Sequence, residues 1–187
     1  VRSRSLDPGL VRGQDKVGAG YAKEVQIADC LMNEPDADLY NEIRDKALKL
    51  LTRREHSRRE LQQKLLQRGF ENPLLDRVLD ELCARNQLSD VRYAEALVSH
   101  RLKTGYGPDY IRQELRQRSV DPLIIDEALA GAEWSWPEVA AARHAAHFPN
   151  PVIQDYKDWA RRASYLQRRG FDIETIRQVL GEWQSPG

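Results

Sequence analysis

Apolar residues recur at intervals of three and four residues along most of the chain. In the first such stretch Leu39, Ile43 and Ala47 fall on one face, which predicts a helix over about 38–54. No stretch alternates between apolar and polar residues for long enough to predict a strand. The hydrophobic pattern therefore predicts an all-α protein.

Capping and helix-breaking residues divide this pattern into further helices. Ser57 and Glu60 form a capping box, in which the serine oxygen accepts a backbone N–H and the glutamate reaches back. Gly69 ends that helix, because the residue just past a helix commonly needs a left-handed backbone. Asn72 and Pro73 are the expected cap and first turn of the third helix. The later predicted helices open near Ser89, Pro108 and Asp121, and then span 138–147, 152–169 and about 172–183.

One turn sequence occurs three times, at spacings of 50 and then 51 residues. A fixed period of this size is typical of helical repeat arrays, which bury a shared core between neighbours and mostly serve as binding surfaces. We therefore predict three tandem three-helix repeats in an elongated, curved array, with a compact helical bundle as the alternative. The copies are Arg68-Gly69-Phe70, Arg118-Ser119-Val120 and Arg169-Gly170-Phe171. The predicted segments are an N-terminal arm over 1–36 and repeats over 37–88, 89–133 and 134–187.

Three features depart from this regular pattern. The arm mixes Gly, Asp, Pro and Ser, and we expect it to be flexible, with a short helix over 21–32 as the alternative. Ser119 replaces a glycine, and a left-handed serine costs about 1 kcal/mol, so we expect this turn to be shaped differently or to be weaker. Arg162 occupies a position that is apolar in the other repeats. Its helix is therefore expected to bury Trp159, Ala163 and Leu166.

Composition limits the cellular setting and the class of partner. Lys plus Arg equals Asp plus Glu, at 29 each, whereas a free-standing DNA-binding domain usually carries a basic excess. Cys30 and Cys83 imply no disulfide framework and favour a reducing cytoplasm. No apolar run approaches the roughly 20 residues of a membrane span, and Arg2 and Arg4 precede no apolar segment of a signal peptide. We expect a cytoplasmic protein that does not contact a membrane.

Catalytic and cofactor-binding motifs are not found in this sequence. It contains neither a phosphate-binding loop, GxxxxGK[ST] or GxGxxG, nor HExxH, CxxC or GxSxG. His144 and His147 lie three residues apart on one helix, but no third ligand is near. We therefore expect surface histidines rather than a metal site, no cofactor and no enzymatic activity.

Basic clusters are the stronger functional signal. Guanidinium groups suit phosphate or carboxylate, which they can bind through two parallel hydrogen bonds. The alternative is a solvated face paired with acidic residues, which we favour for Arg58 and Arg59 because Glu55 and Glu60 are close in sequence. The candidate partner-binding residues are Arg53, Arg54, Arg58, Arg92, Arg101, Lys103, Tyr106, Arg112, Arg161, Arg162, Arg168 and Arg169.

Aromatic residues are divided between contact and core. Tyr106 lies on a Gly-rich turn beside Arg101 and Lys103, and an exposed aromatic on such a turn is typical of a contact surface. Tyr93 shares helical spacing with Leu97, so we expect it in the core. The tryptophans are expected to pack the last repeat. They are Trp134, Trp136, Trp159 and Trp183.

Taken together, the motifs resemble the RecX family of bacterial recombination regulators over roughly residues 38–183. Ser89 and Ser119 depart from the Asp and Gly expected at those positions. In the first repeat the matching residues are Leu50-Leu51-Thr52-Arg53-Arg54-Glu55-His56-Ser57, Glu60-Leu61 and Arg68-Gly69-Phe70. In the second they are Leu88-Ser89-Asp90, Arg92-Tyr93-Ala94, Arg101, Lys103-Thr104-Gly105-Tyr106-Gly107-Pro108, Ile111 and Glu114-Leu115. In the third they are Arg161-Arg162, Tyr165-Leu166 and Arg168-Arg169-Gly170-Phe171.

This resemblance implies a fold and a function. It implies an all-helical protein of tandem three-helix repeats that binds the RecA recombinase, typically in the groove of its filament on DNA. It further implies inhibition of ATP hydrolysis, strand exchange and the co-protease activity that triggers the SOS response. We expect a monomer with RecA as its partner and weak DNA contact at most. A stand-alone helical nucleic-acid binder and a helical scaffold with another partner are the alternatives.

Overall fold

A computed structural model describes residues 34–70, 73–131 and 135–183. Within these ranges the chain forms nine α-helices and no strand, which confirms the all-α prediction. The helices are α1 Glu34–Leu51, α2 Arg58–Leu66, α3 Leu74–Ala84, α4 Asp90–Lys103, α5 Pro108–Gln117, α6 Pro122–Ala130, α7 Trp136–His147, α8 Tyr156–Arg168 and α9 Ile173–Leu180. Several predictions lie outside the described residues. They concern the N-terminal arm up to residue 33, the helix over 21–32, Cys30, Asn72 and Trp134.

Helix ends differ from the predicted ones at both ends of the array. α1 begins at Glu34 rather than near residue 38, and ends at Leu51 rather than 54. α9 stops at Leu180, three residues before the predicted end, because Gly181 adopts a φ of +76° and donates its N–H to the Arg177 carbonyl. A glycine directly after the last apolar position is the usual signal for such a stop.

Side-chain caps begin most of the helices, as the sequence predicts. The predicted caps Ser57, Ser89, Asp121 and Asp172 each accept a backbone N–H of the first turn. The glutamate half of the capping box was predicted wrongly. The Glu60 carboxylate accepts two hydrogen bonds from Arg54 rather than reaching back to the cap.

Each repeat has its own apolar core. In the first, Ile43, Ala47, Leu61 and Leu65 are fully buried, and so are three apolar positions of α3. In the second, α4 packs against α6 around a buried cluster of eight residues. That cluster is Tyr93, Ala94, Val98, Ile111, Leu115, Val120, Ile125 and Leu129. The core prediction for Tyr93 is confirmed.

The third core contains α7, α8 and α9. Its buried residues include Leu166, Phe171 and Ile176, and Trp159 packs against them while remaining half-buried. Trp136 packs against both the second and the third core, so these two repeats share an apolar contact. The tandem three-helix repeats predicted from the sequence are confirmed.

Contacts divide the chain into two compact units, Val1–Glu42 and Ile43–Gly187, and the boundary in the sequence falls inside α1. The described part of the first unit is the beginning of α1. The second unit runs from Ile43 and contains the three repeat cores. None of the helices in the described ranges is long and apolar enough to cross a membrane.

Candidate functional site at the repeat junctions

The second helix of each repeat ends in the same left-handed turn. Gly69, Ser119 and Gly170 have φ values of +87°, +56° and +85°. In each turn the following N–H bonds a carbonyl five residues earlier, at 3.2 to 3.3 Å. The pairs are Phe70 with Leu65, Val120 with Leu115, and Phe171 with Leu166. The expectation that the turn at Ser119 would differ in shape is therefore wrong, because the surrounding helices impose one backbone on serine and glycine alike.

The first repeat meets the second where the turn before α2 faces the end of α5 and the start of α4. We call this contact the first junction. Three hydrogen bonds cross it: Ser57 Oγ to the Arg118 carbonyl at 3.2 Å, the Arg58 N–H to Asp90 Oδ1 at 2.8 Å, and Arg92 Nε to Glu55 Oε1 at 2.8 Å. Every one of them uses a side chain, and the arginine–glutamate pair is charged.

Glu60 is the electrostatic centre of the first junction. It is only 5% exposed, yet its carboxylate lies 2.5 Å from Arg54 Nη2 and 3.3 Å from Arg118 Nη1. Burial raises the pKa of Glu60, but the hydrogen bonds and charge of Arg54, with the charge of Arg118, lower it by more. The net pKa is below its ordinary value, so the carboxylate stays ionised between two guanidinium groups from different repeats.

His56 is buried beside this carboxylate. Its Nδ1 donates to the Arg54 carbonyl at 2.9 Å, and only 2% of the residue is exposed. Burial lowers the pKa of His56 by more than the hydrogen bond to the Arg54 carbonyl and the Glu60 charge raise it, and the charges of Arg54 and Lys64 lower it further. The imidazole is therefore held neutral at the centre of a charged junction.

The second repeat meets the third through backbone groups. We call this contact the second junction. The Gly107 N–H donates to the Arg169 carbonyl at 2.8 Å, and the Asp109 N–H donates to the Gly170 carbonyl at 3.1 Å. A Cβ at Gly107 would lie 2.3 Å from the Gly170 oxygen, and a Cβ at Gly170 would lie 2.3 Å from the Tyr110 nitrogen. Only glycine on both sides allows the two backbones to approach this closely.

Aromatic rings and guanidinium groups surround the second junction. The Arg169 guanidinium lies 4.6 Å from the Tyr106 ring centre and donates to the Thr104 carbonyl at 3.2 Å. The Tyr106 and Tyr110 rings lie 4.2 Å apart. Arg101 lies 5.4 Å from the Tyr106 ring centre. The expectation of an exposed aromatic at Tyr106 is wrong, since the ring is half-buried among these groups.

Arg162 was predicted to bind a partner, and this prediction is wrong. The residue is 2% exposed, and its guanidinium donates to Asp158 and to the carbonyls of Asn150 and Val152. The Arg162 hydrogen bond, with one from Arg161, lowers the pKa of Asp158 to about 2. Arg162 therefore ties the loop before α8 to the helix, a role that an apolar residue at this position could not perform.

Most of the other predicted arginines have partners within the protein. Arg101 donates to both Glu114 oxygens, at 2.7 and 2.8 Å. Arg58 pairs with Asp80 at 2.7 Å, on α3, rather than with the neighbours in sequence that we favoured. Arg112 contacts Asp109 and Asp126, each at 3.4 Å, and the exposed Arg161 pairs with Asp158. Among the predicted residues, those exposed without a partner in the described ranges are Arg53, Lys103 and Arg168.

Histidines and acidic groups form no metal cluster within the described residues. His144 Nε2 lies 3.3 Å from Arg162 Nη1, and the His147 ring stacks on Tyr165 with centres 4.0 Å apart. Burial lowers the pKa of His144, and the Arg162 charge lowers it further. Both histidines are thus engaged with side chains of α8.

Two equivalent clefts open beside the junctions. The first cleft has a volume of about 400 Å³ and the second of about 440 Å³. Six lining positions of the first cleft have equivalents that line the second, when positions are counted from the caps Ser89 and Ser135 and from turns 50 residues apart. The first cleft is lined by Arg54, Glu55, Tyr93, Ala96, Leu97 and His100, and by Arg101, Glu114 and Arg118. The second cleft has Thr104 and Gly105 at the positions of Arg54 and Glu55. At the positions of Tyr93, Ala96, Leu97 and His100 it has Val139, Ala142, Arg143 and Ala146.

Sequence reasoning missed Glu60 and Arg118 as junction residues, and it missed the pairing of Gly107 with Gly170. The 50-residue period contained the necessary signal. Because Ser57 and Gly107 are equivalent, and Arg118 and Arg169 are equivalent, one cross-repeat contact predicts the other. Which residues face each other across a junction nevertheless depends on how the repeats pack.

Comparisons with known proteins give a consistent result. The chain matches the first, second and third three-helix domains of RecX over residues 44–82, 89–129 and 140–180. It is 44% identical over 135 residues to the regulatory protein RecX of Halorhodospira halophila, covering 72% of this chain and 84% of the relative. It is 39% identical over 138 residues to that of Pseudomonas tolaasii, covering 74% and 89%.

Solved structures agree on the fold. The crystal structure of RecX from Lactobacillus salivarius superposes with a TM-score of 0.64 at 21% identity, over 77% of this chain and 96% of that one. A second RecX crystal structure gives a TM-score of 0.67 at 22% identity, over 86% and 87%. With three consecutive domains matched and close relatives covered over most of their length, the chain belongs to the RecX family of regulatory proteins.

Proposed function

We propose that this protein binds the RecA recombinase filament and inhibits its ATP hydrolysis, strand exchange and co-protease activities. It would act in the cytoplasm, in the control of recombination, DNA repair and the SOS response. A regulator of this kind changes another enzyme's activity by binding one of its states more tightly than the others. The proposal therefore requires no catalytic group in this chain.

The observation that carries the proposal is the junction-linked repeat array of a RecX family member. Hydrogen bonds tie the second repeat to both neighbours, so the repeats are not independent domains on linkers. An array of linked repeats is suited to a partner that is itself built from repeated subunits, because successive repeats can meet successive subunits. Relatives named as regulatory proteins support the same class of activity.

The direct test is RecA ATP hydrolysis on single-stranded DNA while this protein is titrated in. Inhibition well below one molecule per RecA subunit would support control at the level of the filament, such as capping of growth or locking of neighbours. Inhibition only near equal ratios would support occupation of each subunit's groove. A correctly folded protein without any effect would refute the proposal and favour a scaffold with another partner.

The exposed, unpaired cations are the best positions at which to perturb the contact. Arg53 and Lys103 occupy equivalent positions, 50 residues apart, and neither has an ion-pair partner among the described residues. We expect the double variant Arg53→Ala plus Lys103→Ala to need about tenfold more protein for half-inhibition, because each lost cation removes a charge-assisted contact. The control is Lys157→Ala plus Arg177→Ala, which removes the same charge from exposed positions of the third repeat.

Nucleic-acid binding is the second candidate function, and the same unpaired cations favour it. Exposed Arg53, Lys103 and Arg168 can contact phosphates without breaking an internal ion pair. The salt dependence of binding to bare DNA separates the candidates. A steep loss of weak affinity with salt fits a protein-directed regulator, whereas retained preference for one DNA sequence or structure fits a nucleic-acid binder.

A further inference from the structure

We propose that the first cleft binds a single carboxylate side chain presented by a protein partner. The inference deepens the proposed function and rests on it for the identity of that partner. The cleft lies between the first two repeats and has a volume of about 400 Å³. The ligand that we assign to it is an acidic residue next to an apolar residue.

The charged residues around the cleft have an excess of positive charge, which favours a negatively charged ligand. Three guanidinium groups line it against two carboxylates. Two further groups contact these lining residues: Arg92 pairs with Glu55, and Glu60 is shared by two of the arginines. Including them, four arginines face three glutamates, and Lys64 also lies 3.9 Å from Glu60, so positive charge is in excess around the cleft. A carboxylate ligand would reduce this excess.

Two of the arginines have guanidinium N–H donors without an acceptor among the described residues. Arg118 pairs with Glu60, with Nη1 at 3.3 Å, and none of its guanidinium nitrogens donates a hydrogen bond to an acceptor among the described residues. Arg101 uses Nε and Nη2 on Glu114, which leaves its Nη1. Their side chains are 37% and 24% exposed, so a ligand can reach them from solvent. Two such donors in one cleft match the two oxygens of a carboxylate.

The walls favour a protein side chain over a nucleic-acid backbone. Ala96, Leu97 and the Tyr93 ring form an apolar surface beside the arginines. A phosphodiester chain, with a charge on every nucleotide, would place further negative charges near Glu55 and Glu114. A peptide with one acidic residue and an apolar neighbour avoids that repulsion and buries its apolar side chain.

The second cleft is an internal comparison for this assignment. At the positions of Arg54 and Glu55 it has Thr104 and Gly105, and at the position of His100 it has Ala146. Its lining cations are Lys103 and Arg143, beside Glu138. It therefore lacks the three convergent arginines, although its volume is similar. We assign carboxylate binding to the first cleft alone.

The experiment uses the full chain and two short peptides with blocked termini. One peptide contains a single Glu flanked by Leu, and the other has Gln in place of that Glu. Binding is followed by isothermal titration and by NMR of the arginine Nε–H signals. We expect the Glu peptide to bind and to shift the Arg101 and Arg118 signals, and the Gln peptide to bind about tenfold more weakly.

Two variants locate the site. Arg118→Gln is expected to weaken binding of the Glu peptide about tenfold, because it removes the paired guanidinium donors and the positive charge. The control Arg116→Gln removes the same charge two residues earlier, from an exposed position of α5 outside the cleft, and should change binding less than about twofold. Arg118→Lys keeps the charge but not the paired donors, and it should retain an intermediate affinity. Circular dichroism verifies that each variant is folded.

The possible outcomes separate this inference from the proposed function. Equal binding of the two peptides, no binding of the Glu peptide up to millimolar concentration, or an unaffected Arg118→Gln would overturn the cleft assignment. So would tighter binding of oligothymidylate that Arg118→Gln abolishes, because the cleft would then be a nucleic-acid site. If the peptide results are as expected but the wild-type protein leaves RecA ATP hydrolysis unchanged, the assignment stands and the proposed function fails. If the wild-type protein inhibits RecA, Arg118→Gln should inhibit more weakly than Arg116→Gln.

Discussion

The two repeat junctions occupy equivalent places in the fold but use different chemistry. At the first, Ser57 and Ser119 both carry side chains, and the repeats are held by side-chain hydrogen bonds and by the buried Glu60 carboxylate. At the second, glycines stand at the corresponding positions, and backbone groups bond each other directly. The difference shows that one repeat geometry can be built by charge or by close backbone contact. The first junction should therefore respond to charge and pH, and the second to steric change.

The largest effect is expected from a methyl group at the second junction. In Gly170→Ala the new Cβ would lie 2.3 Å from the Tyr110 nitrogen, at a residue whose φ is already +85°. We expect a loss of about 3 kcal/mol or more in the free energy of unfolding, measured by urea denaturation. Gly69→Ala is the matched control, with the same left-handed backbone and nothing within 4 Å of the new Cβ. It should lose only about 1 kcal/mol, and equal losses would mean that backbone strain, not the junction contact, dominates.

A smaller loss is expected when the charge at the centre of the first junction is removed. Glu60→Gln keeps the side-chain shape but leaves Arg54 and Arg118 without their shared carboxylate. We expect the free energy of unfolding to fall by about 1 to 2 kcal/mol, less than for a fully buried pair because both arginines remain partly exposed to water. The control Glu95→Gln changes an exposed glutamate and should have an effect below about 0.5 kcal/mol. Equal losses in the two variants would show that the Glu60 carboxylate does not stabilise the first junction more than an exposed glutamate does.

Making the first junction resemble the second should stabilise the protein slightly. Ser119→Gly relieves a left-handed serine whose φ is +56°. Since the side chain is exposed, we expect a gain of up to about 1 kcal/mol in thermal or urea unfolding. Ser119→Ala keeps the strain and should give no gain. A loss of stability in the glycine variant would show that the serine side chain contributes more than its backbone strain costs.

The smallest expected effect is a pH dependence specific to the first junction. Because the pKa of His56 is lowered on folding from 6.5, the stability from its neutral form is present above pH 6.5 and is lost as pH falls from there through the folded pKa. His56→Gln should therefore flatten the decline in stability between about pH 7 and 5. His144→Gln is the comparison in the third repeat. The pKa of His144 is also lowered, so this variant should likewise flatten the decline in stability, without a change at the first junction. No histidine takes part in the contacts described at the second junction. An unchanged slope in His56→Gln would contradict the assignment of this pH dependence to the first junction.

Local signals in the sequence were sufficient for the helices and for the repeat. Ser57, Ser89 and Asp172 cap helices where the pattern places them, because capping depends on neighbours in the chain. Errors occurred where a distant residue decides the outcome. Arg162 was assigned to a partner, yet it is buried by bonds to Asn150 and Val152, two carbonyls that only the folded loop brings within reach.

The candidate site was less predictable than the fold for the same reason. Arginine clusters marked the surfaces near both junctions, but the residue type alone does not distinguish a guanidinium bound to an internal carboxylate from one that is free. Arg101 is bound by Glu114, thirteen residues away, while Lys103, two positions along the same helix, has no partner among the described residues. Only the distances between side chains separate these cases.

By itself the sequence determined the all-helical class, most helix starts, the three-repeat order and the family resemblance, because periodicity, caps and left-handed turns depend on residues close together in the chain. The tertiary structure alone decided which side chains meet across the junctions. Ser57 contacts the end of α5, 61 residues away, and Arg169 bonds to Thr104, 65 residues away. Such contacts depend on how whole helices pack against each other, and packing is a property of the assembled cores rather than of any one segment.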